Sequence, residues 1–157
     1  MHPMVVHFPL VLLMMVPVFL ALALYRKEPV GPYAVTAWML LALGTVAAFV
    51  ATMSGEAAES LVIASDQVRQ AIEHHSDLGE FARDVATVEF LLLSAILGWT
   101  LFLKRPVAYR WLAGLTFVVF LVSLVGAVLV AMTGHAGAYL VHGLGVTNPA
   151  SFLPQLH

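Results

Sequence analysis

WLAGLTFVVFLVSLVGAVLVAM, residues 111–132, runs for about six helical turns without a charged side chain. At about 1.5 Å per residue it is long enough to cross the ~30 Å hydrocarbon core of a bilayer. Three more runs of about 18–22 residues, at 4–24, 33–53 and 86–103, are apolar enough to do the same. The chain therefore reads as all-α: a four-transmembrane-helix bundle forming a single membrane domain over residues 1–157. Composition agrees, with 61% hydrophobic and only 10% charged residues, far from the soluble average of about 25% charged.

Charge orients the bundle. Arg26 and Lys27 follow the first run, and Lys104, Arg105 and Arg110 follow the third. The positive-inside rule puts both connections in the cytoplasm, so both termini of this multi-pass chain are expected in the periplasm of a bacterial inner membrane. All seven histidines (His2, His7, His74, His75, His135, His142 and His157) then fall at or beyond the periplasmic face. Of nine acids, only Glu28 lies on the cytoplasmic side. The chain opens on Met1-His2-Pro3, with no basic leader and no small-residue cleavage site, so the first helix reads as its own insertion signal.

Local chemistry sets the joints. Pro3 suits a first helical turn, Pro9 leaves a carbonyl free near His7, and Pro17 is expected to bend the first helix. Residues 25–32, with Pro29 and Gly31-Pro32, form a tight inner turn. Gly44 and the alanines around it allow close helix contact in the second run. Residues 54–84 read as an outer amphipathic helical segment. Asp77-Leu78-Gly79-Glu80 fits a capping box opening the third helix, or a single helix runs from about Asp66 to Leu103; both readings stay open. Residues 53–62 (MSGEAAESLV) align with residues 132–141 (MTGHAGAYLV), each ending an outward-running helix. This is the pattern of a duplicated helical hairpin, with Glu56 in the place of His135.

There are no cysteines, which excludes thioether-attached haem, cysteine-ligated clusters and thiolate zinc. A cofactor must rest on His, Met, Glu or Asp. Depth arithmetic places His7 and Glu89 about one turn inside the apolar boundary, and Glu56 and His135 about one turn outside it. His75 and His142 lie roughly 15 Å beyond the third and fourth runs. His7 thus matches His135 in depth, and His75 matches His142. Two tiers of histidine on facing helices are what bis-histidine haem in a helical bundle requires. On the third helix the His75 stripe presents Gly79, Ala82, Ala86 and Glu89. Small residues there leave room for a flat macrocycle or for close helix contact. The His74 stripe (Leu78, Phe81, Val85, Val88, Leu92) reads as packing.

Glu89 stands alone in an apolar run, which marks it as functional or paired. It is expected to bond an inner-layer group such as His7, or a proton-carrying water. Met4, Met53 and Met132 lie near the outer boundary, where with histidines they suit copper(I). Together with His2, Glu56 and Glu89 they form a secondary ligand set. Arg69 and Arg83, the outer-side bases, suit either haem propionates or the neighbouring acids. Phosphate-loop, nucleophile-elbow and zinc-protease motifs are absent from the sequence. An acidic outer face does not suit nucleic acid.

Three stretches carry a resemblance to a known family. His2-Pro3-Met4-Val5-Val6-His7-Phe8-Pro9-Leu10 is similar to the opening HPMxVHFPxxL of the bacterial membrane proteins catalogued as domain of unknown function 2231. His75-Ser76-Asp77-Leu78-Gly79-Glu80 resembles that family's HxxLGE stretch, and residues 133–146 (TGHAGAYLVHGLGV) resemble its closing TGHxGGxLVYxHGxGV. This chain departs from the pattern at Ala138 and lacks one residue between Val141 and His142. The resemblance implies a four-helix membrane protein, picks out His7, His75, His135 and His142, and covers nearly the whole chain. Members occur beside cytochromes and respiratory proteins.

The expected function is electron transfer by a membrane protein holding one or two haem b groups near the periplasmic face. His7, His75, His135 and His142 are the iron ligands, and no residue is assigned a catalytic role. The partner is a periplasmic cytochrome, a quinone or a larger respiratory or photosynthetic complex. The alternatives are a copper-binding membrane protein and a non-catalytic accessory subunit, more in keeping with the sequence than a stand-alone enzyme.

Overall fold

The structure is a computed structural model that describes residues 2–59, 65–101 and 107–144, with side chains described for 6–57, 65–100 and 107–144. Four helices form it: α1 (His2–Tyr25), α2 (Pro32–Glu59), α3 (Asp66–Leu101) and α4 (Tyr109–Ala138). A π-helical turn, Tyr139–Gly143, continues α4. No strand occurs among the described residues. Three helices are long and apolar enough to cross a membrane, over Val6–Tyr25, Pro32–Ala57 and Tyr109–Gly143. The remaining helix, α3, joins a polar first half to an apolar second half. The helices form a closed ring in chain order, with α4 packed against both α3 and α1.

Lipid-like packing explains the interior. Lipid tails are as apolar as leucine, so the helices associate through close contact between small residues and through a few polar ties. Gly44 shows the first: a Cβ there would lie 2.6 Å from Leu13 Cδ2, so α1 and α2 meet where glycine lacks a side chain. Leu20, Leu41 and Leu93 are fully buried around the axis. Trp38 Nε1 donates to Ser94 Oγ at 2.7 Å, tying α2 to α3, and Trp38 stacks on Phe90. Such interhelical bonds are worth about 0.6 kcal/mol on average in membrane proteins. Thr116 Oγ1 donates to the Pro29 carbonyl, tying α4 to the α1–α2 turn. Large apolar side chains such as Phe117, Val118, Leu121 and Val125 face outward, as lipid contact requires. At the basic end, Tyr25, Trp99, Tyr109 and Trp111 are exposed together, the pattern of an interfacial aromatic belt.

The α1–α2 turn is a Schellman motif. Glu28 N–H donates to the Ala23 carbonyl and Lys27 N–H to the Leu24 carbonyl, both near 3 Å. Lys27 takes the left-handed position at φ 56°, a conformation that costs a non-glycine residue about 1 kcal/mol or more. Lys27→Gly should therefore stabilise the hairpin by about 1 kcal/mol. Thermal unfolding in detergent at fixed salt checks this, and a lower midpoint for the variant contradicts the motif.

Of the two readings left open for residues 66–84, the structure has the single helix: α3 is continuous from Asp66, so Asp77 and Glu80 lie mid-helix, where a capping box has no free N–H groups to cap. The helix of the second run continues past Met53 to Glu59, and that of the fourth continues past Met132 to Ala138. α1 is helical on both sides of Pro9 and Pro17, which are both buried. The stretches compared as a repeat fall at the end of α2 and at the end of α4 with its π turn, although Ser60, Leu61 and Val62 lie outside the described residues.

Candidate functional site

His75 is the best-defined histidine of the molecule. Two helices position it: α3 carries it, and α4 offers a seat at Gly137. A Cβ on Gly137 would lie 3.0 Å from His75 Cε1, so the imidazole rests against α4 only because that residue is glycine. The ring is half-buried, and its Nδ1 lies 3.1 Å from the Thr133 carbonyl. A carbonyl only accepts, so Nδ1 carries the hydrogen and Nε2 keeps its lone pair. That is the tautomer of a histidine ready to ligate a metal, with its second nitrogen oriented by a backbone carbonyl.

Burial keeps the ring neutral. Desolvation lowers the His75 pKa from its ordinary value and the neighbouring His74 lowers it further, while the Thr133 bond works the other way. The unfolded chain then takes up a proton before the folded one does. The resulting stability is present above about pH 6.5 and is lost as pH falls through that value toward the folded one. His75→Gln should flatten the acid side of a melting-temperature profile measured between about pH 7.5 and about pH 5. An unchanged profile would mean that His75 titrates as an exposed histidine.

The other histidines are less enclosed. His7, on α1, is exposed, as are His74, His135 and His142. Gly134 approaches Leu10, where a Cβ would meet Leu10 Cδ1 at 3.1 Å. That contact sets the ends of α1 and α4 carrying His7 and His135 side by side. His142 sits inside the π turn, which closes with Leu144 N–H donating to the Tyr139 carbonyl and packs against α3. Such wide turns recur at functional sites. In a continued α-helix His142 would share the stripe of His135, seven residues earlier; the wide turn moves it off that stripe. The Tyr139 ring lies over Gly143, where a Cβ would meet it at 2.7 Å.

Depths differ from the arithmetic of the apolar boundaries. His75 lies level with Gly137, two residues past His135 and five short of His142, so it falls between the two tiers. Glu89 abuts Gly126, and Leu10 abuts Gly134, eight residues higher on α4. Glu89 is thus about 12 Å deeper than Leu10, and His7 is not its partner. Interhelix register, set by where the glycines allow contact, decides both cases.

The small stripe of α3 faces the bundle interior: Ala82, Ala86 and Glu89 are buried. A Cβ on Gly79 would stand 3.7 Å from Thr133 Cγ2 and 3.9 Å from Thr52 Cγ2, which is ordinary contact. The stripe serves close helix packing and leaves no room for a flat ring between α3 and its neighbours there. The His74 stripe turns outward instead, with Phe81, Val88 and Leu92 exposed. Arg83 pairs with Asp84 at 2.9 Å and lies over the Phe49 ring, so it joins a neighbouring acid. Met53, Met132 and Glu56 are exposed at the ends of α2 and α4. The side chains of His2 and Met4, together with Lys104, Arg105 and His157, lie outside the described residues. Among the described residues no three His, Asp or Glu side chains gather into a metal-holding group; a haem iron takes two.

A ring of antiparallel helices, mostly long and apolar enough to span a bilayer, with the described histidines His7, His74, His75, His135 and His142 toward one end and Arg26, Lys27 and Arg110 at the other, defines a helical membrane protein. The chain belongs to the family described as predicted membrane protein (DUF2231), whose model matches residues 1–150. No curated protein and no solved structure matches it. Gly137 and the Thr133 carbonyl escaped the sequence reading of the His75 site. The motif in which they lie was visible, but not the helix that faces it.

Proposed function

We propose that the chain holds haem b at the histidine end of the bundle and carries electrons near the periplasmic face of a bacterial inner membrane. The observation that carries this reading is His75: half-buried, neutral, with Nδ1–H engaged by the Thr133 carbonyl and Nε2 left with its lone pair. His142, brought off the His135 stripe by the π turn, is its partner across the α3–α4 seam. Their offset of five residues along α4 amounts to about 7 Å. His7 and His135 form a second pair on the α1–α4 seam. Haem supplies one-electron chemistry when bound. The protein's part is to orient the imidazoles, to set burial around them and so to tune the potential. A periplasmic cytochrome, a quinone or a larger respiratory or photosynthetic complex is the redox partner.

Metal analysis of protein purified from native-like membranes tests the reading. Iron in about one or two equivalents per chain, extractable as haem b, is expected. Copper without iron would instead favour a site built from histidine and Met53 or Met132. Reporter tags before Met1 and after His157 should both be periplasmic. A cytoplasmic signal from either end would separate the histidines from the periplasmic face.

A further inference from the structure

Two buried polar oxygens in the middle of the bundle have no hydrogen-bond partner: Glu89 Oε1 and Thr45 Oγ1. Glu89 is 3% exposed and Thr45 7% exposed, so neither reaches lipid or water by its own side chain. Their register sets them at similar depths on α2 and α3. Trp38 bonds Ser94, and Thr52 approaches Gly79. Thr45 lies seven residues from both Trp38 and Thr52, on the same face of α2, the face turned to α3. The matching level on α3 falls at Ala86 and Thr87, so Glu89 is within about 4 Å of Thr45 in depth. Both are near the midpoint of the Pro32–Ala57 span.

Nothing charged faces Glu89 at this level among the described residues. On α1 the neighbouring level carries Val16, Pro17 and Leu20, on α2 Leu41, Gly44 and Thr45, and on α4 Ser123, Gly126 and Val130. The titratable groups of those helices sit at their ends: His7 and Tyr25, Tyr33 and Glu56, and Tyr109, Arg110, His135, Tyr139 and His142. On α3, Arg83 is engaged with Asp84. Ser123 already donates to the Phe120 carbonyl. An ionised carboxylate here would have no countercharge, and burying one unpaired costs several kcal/mol or more. Unsatisfied buried oxygens call for a hydrogen-bonding partner, and a site with two of them and a small neighbour suits a single water.

We propose that Glu89 and Thr45 form an intramembrane proton-binding site, with Glu89 holding the proton as a neutral acid and one water bridging Glu89 Oε1 to Thr45 Oγ1. The Thr45 hydroxyl donates to the water, and the water donates to Oε1. The other carboxyl oxygen, Glu89 Oε2, packs toward Gly126 of α4, where a Cβ would stand 3.5 Å away. The inference stands apart from the haem reading, because no histidine takes part in it.

Infrared spectroscopy of the full chain in liposomes tests it. A protonated-carboxyl C=O band is expected at neutral pH, lost in Glu89→Gln. The near-isosteric Thr45→Val should move that band to higher frequency, because the bridging water loses its anchor. A hydrophobic carbodiimide, which reacts with protonated buried carboxyls, should label Glu89 in the unmodified chain, as read by mass spectrometry. A spectrum without the band, or label absent from Glu89, would overturn the proton assignment. So would suppression of both by sodium at constant pH, which would make the occupant a metal cation. A band that Thr45→Val leaves in place would overturn the bridge.

Discussion

If the chain holds haem as proposed, His75→Ala is expected to strip the purified protein of most of its haem absorbance, whereas His74→Ala, one residue away, should leave it near the parent level. The two residues share a helix, a turn and a charge type, so a general disturbance of α3 would affect both alike. They differ in environment. His75 is half-buried against Gly137 and bonded to the Thr133 carbonyl, while His74 is exposed on a stripe of outward-facing apolar residues. Losing an axial ligand should weaken haem binding by more than the 10–100-fold typical of a lost supporting bond, that is by about 100-fold or more. Haem titration of the apoprotein measures the difference. Equal loss in both variants, or loss in neither, sinks the assignment of His75 as ligand.

Gly137→Val is expected to produce the second largest effect. Even the first carbon of the new side chain would lie 3.0 Å from His75 Cε1, and the two methyl groups beyond it occupy the seat of the ring. The imidazole must swing away from the Thr133 carbonyl and lose the bond that fixes its tautomer. Removing that support should weaken haem binding about 10–100-fold. Overpacking itself costs about 1–3 kcal/mol, so melting temperature and haem affinity are measured together. Control substitutions at Gly98 and Gly114, where a Cβ meets nothing within 4 Å, should leave affinity unchanged. A Gly137→Val protein that binds haem like its parent would mean that the His75 seat is plain packing.

Much of the fold was legible because hydropathy and charge are local properties. The runs at 4–24, 33–53 and 111–132 mark helices that the structure extends at most ends. Residues 66–84 contain strong helix formers and a lone Gly79, so nothing interrupts α3 at the point where a capping box seemed to open it. What the sequence could not convey is how the helices slide against one another. The level of His75 depends on Gly137, and the depth of Glu89 depends on Gly126. Both are contacts between helices at positions that look interchangeable with other glycines. Glu89 announced itself as a charge in an apolar run, but its neighbour Thr45 did not, because a hydroxyl in a helix ordinarily bonds its own backbone. Thr52, Thr87 and Thr133 do so; Thr45 does not. The π turn was also hidden, because nothing in the local sequence marks where the α4 helix widens.

The haem assignment rests on one readout that neither topology nor stability supplies: the absorption spectrum of the purified, full-length protein, recorded oxidised and then reduced by dithionite. A Soret band that sharpens and shifts on reduction, with the split visible bands of low-spin bis-histidine haem b, is the predicted result. A colourless protein, with no Soret band in either state after expression with ample haem supply, would contradict the account.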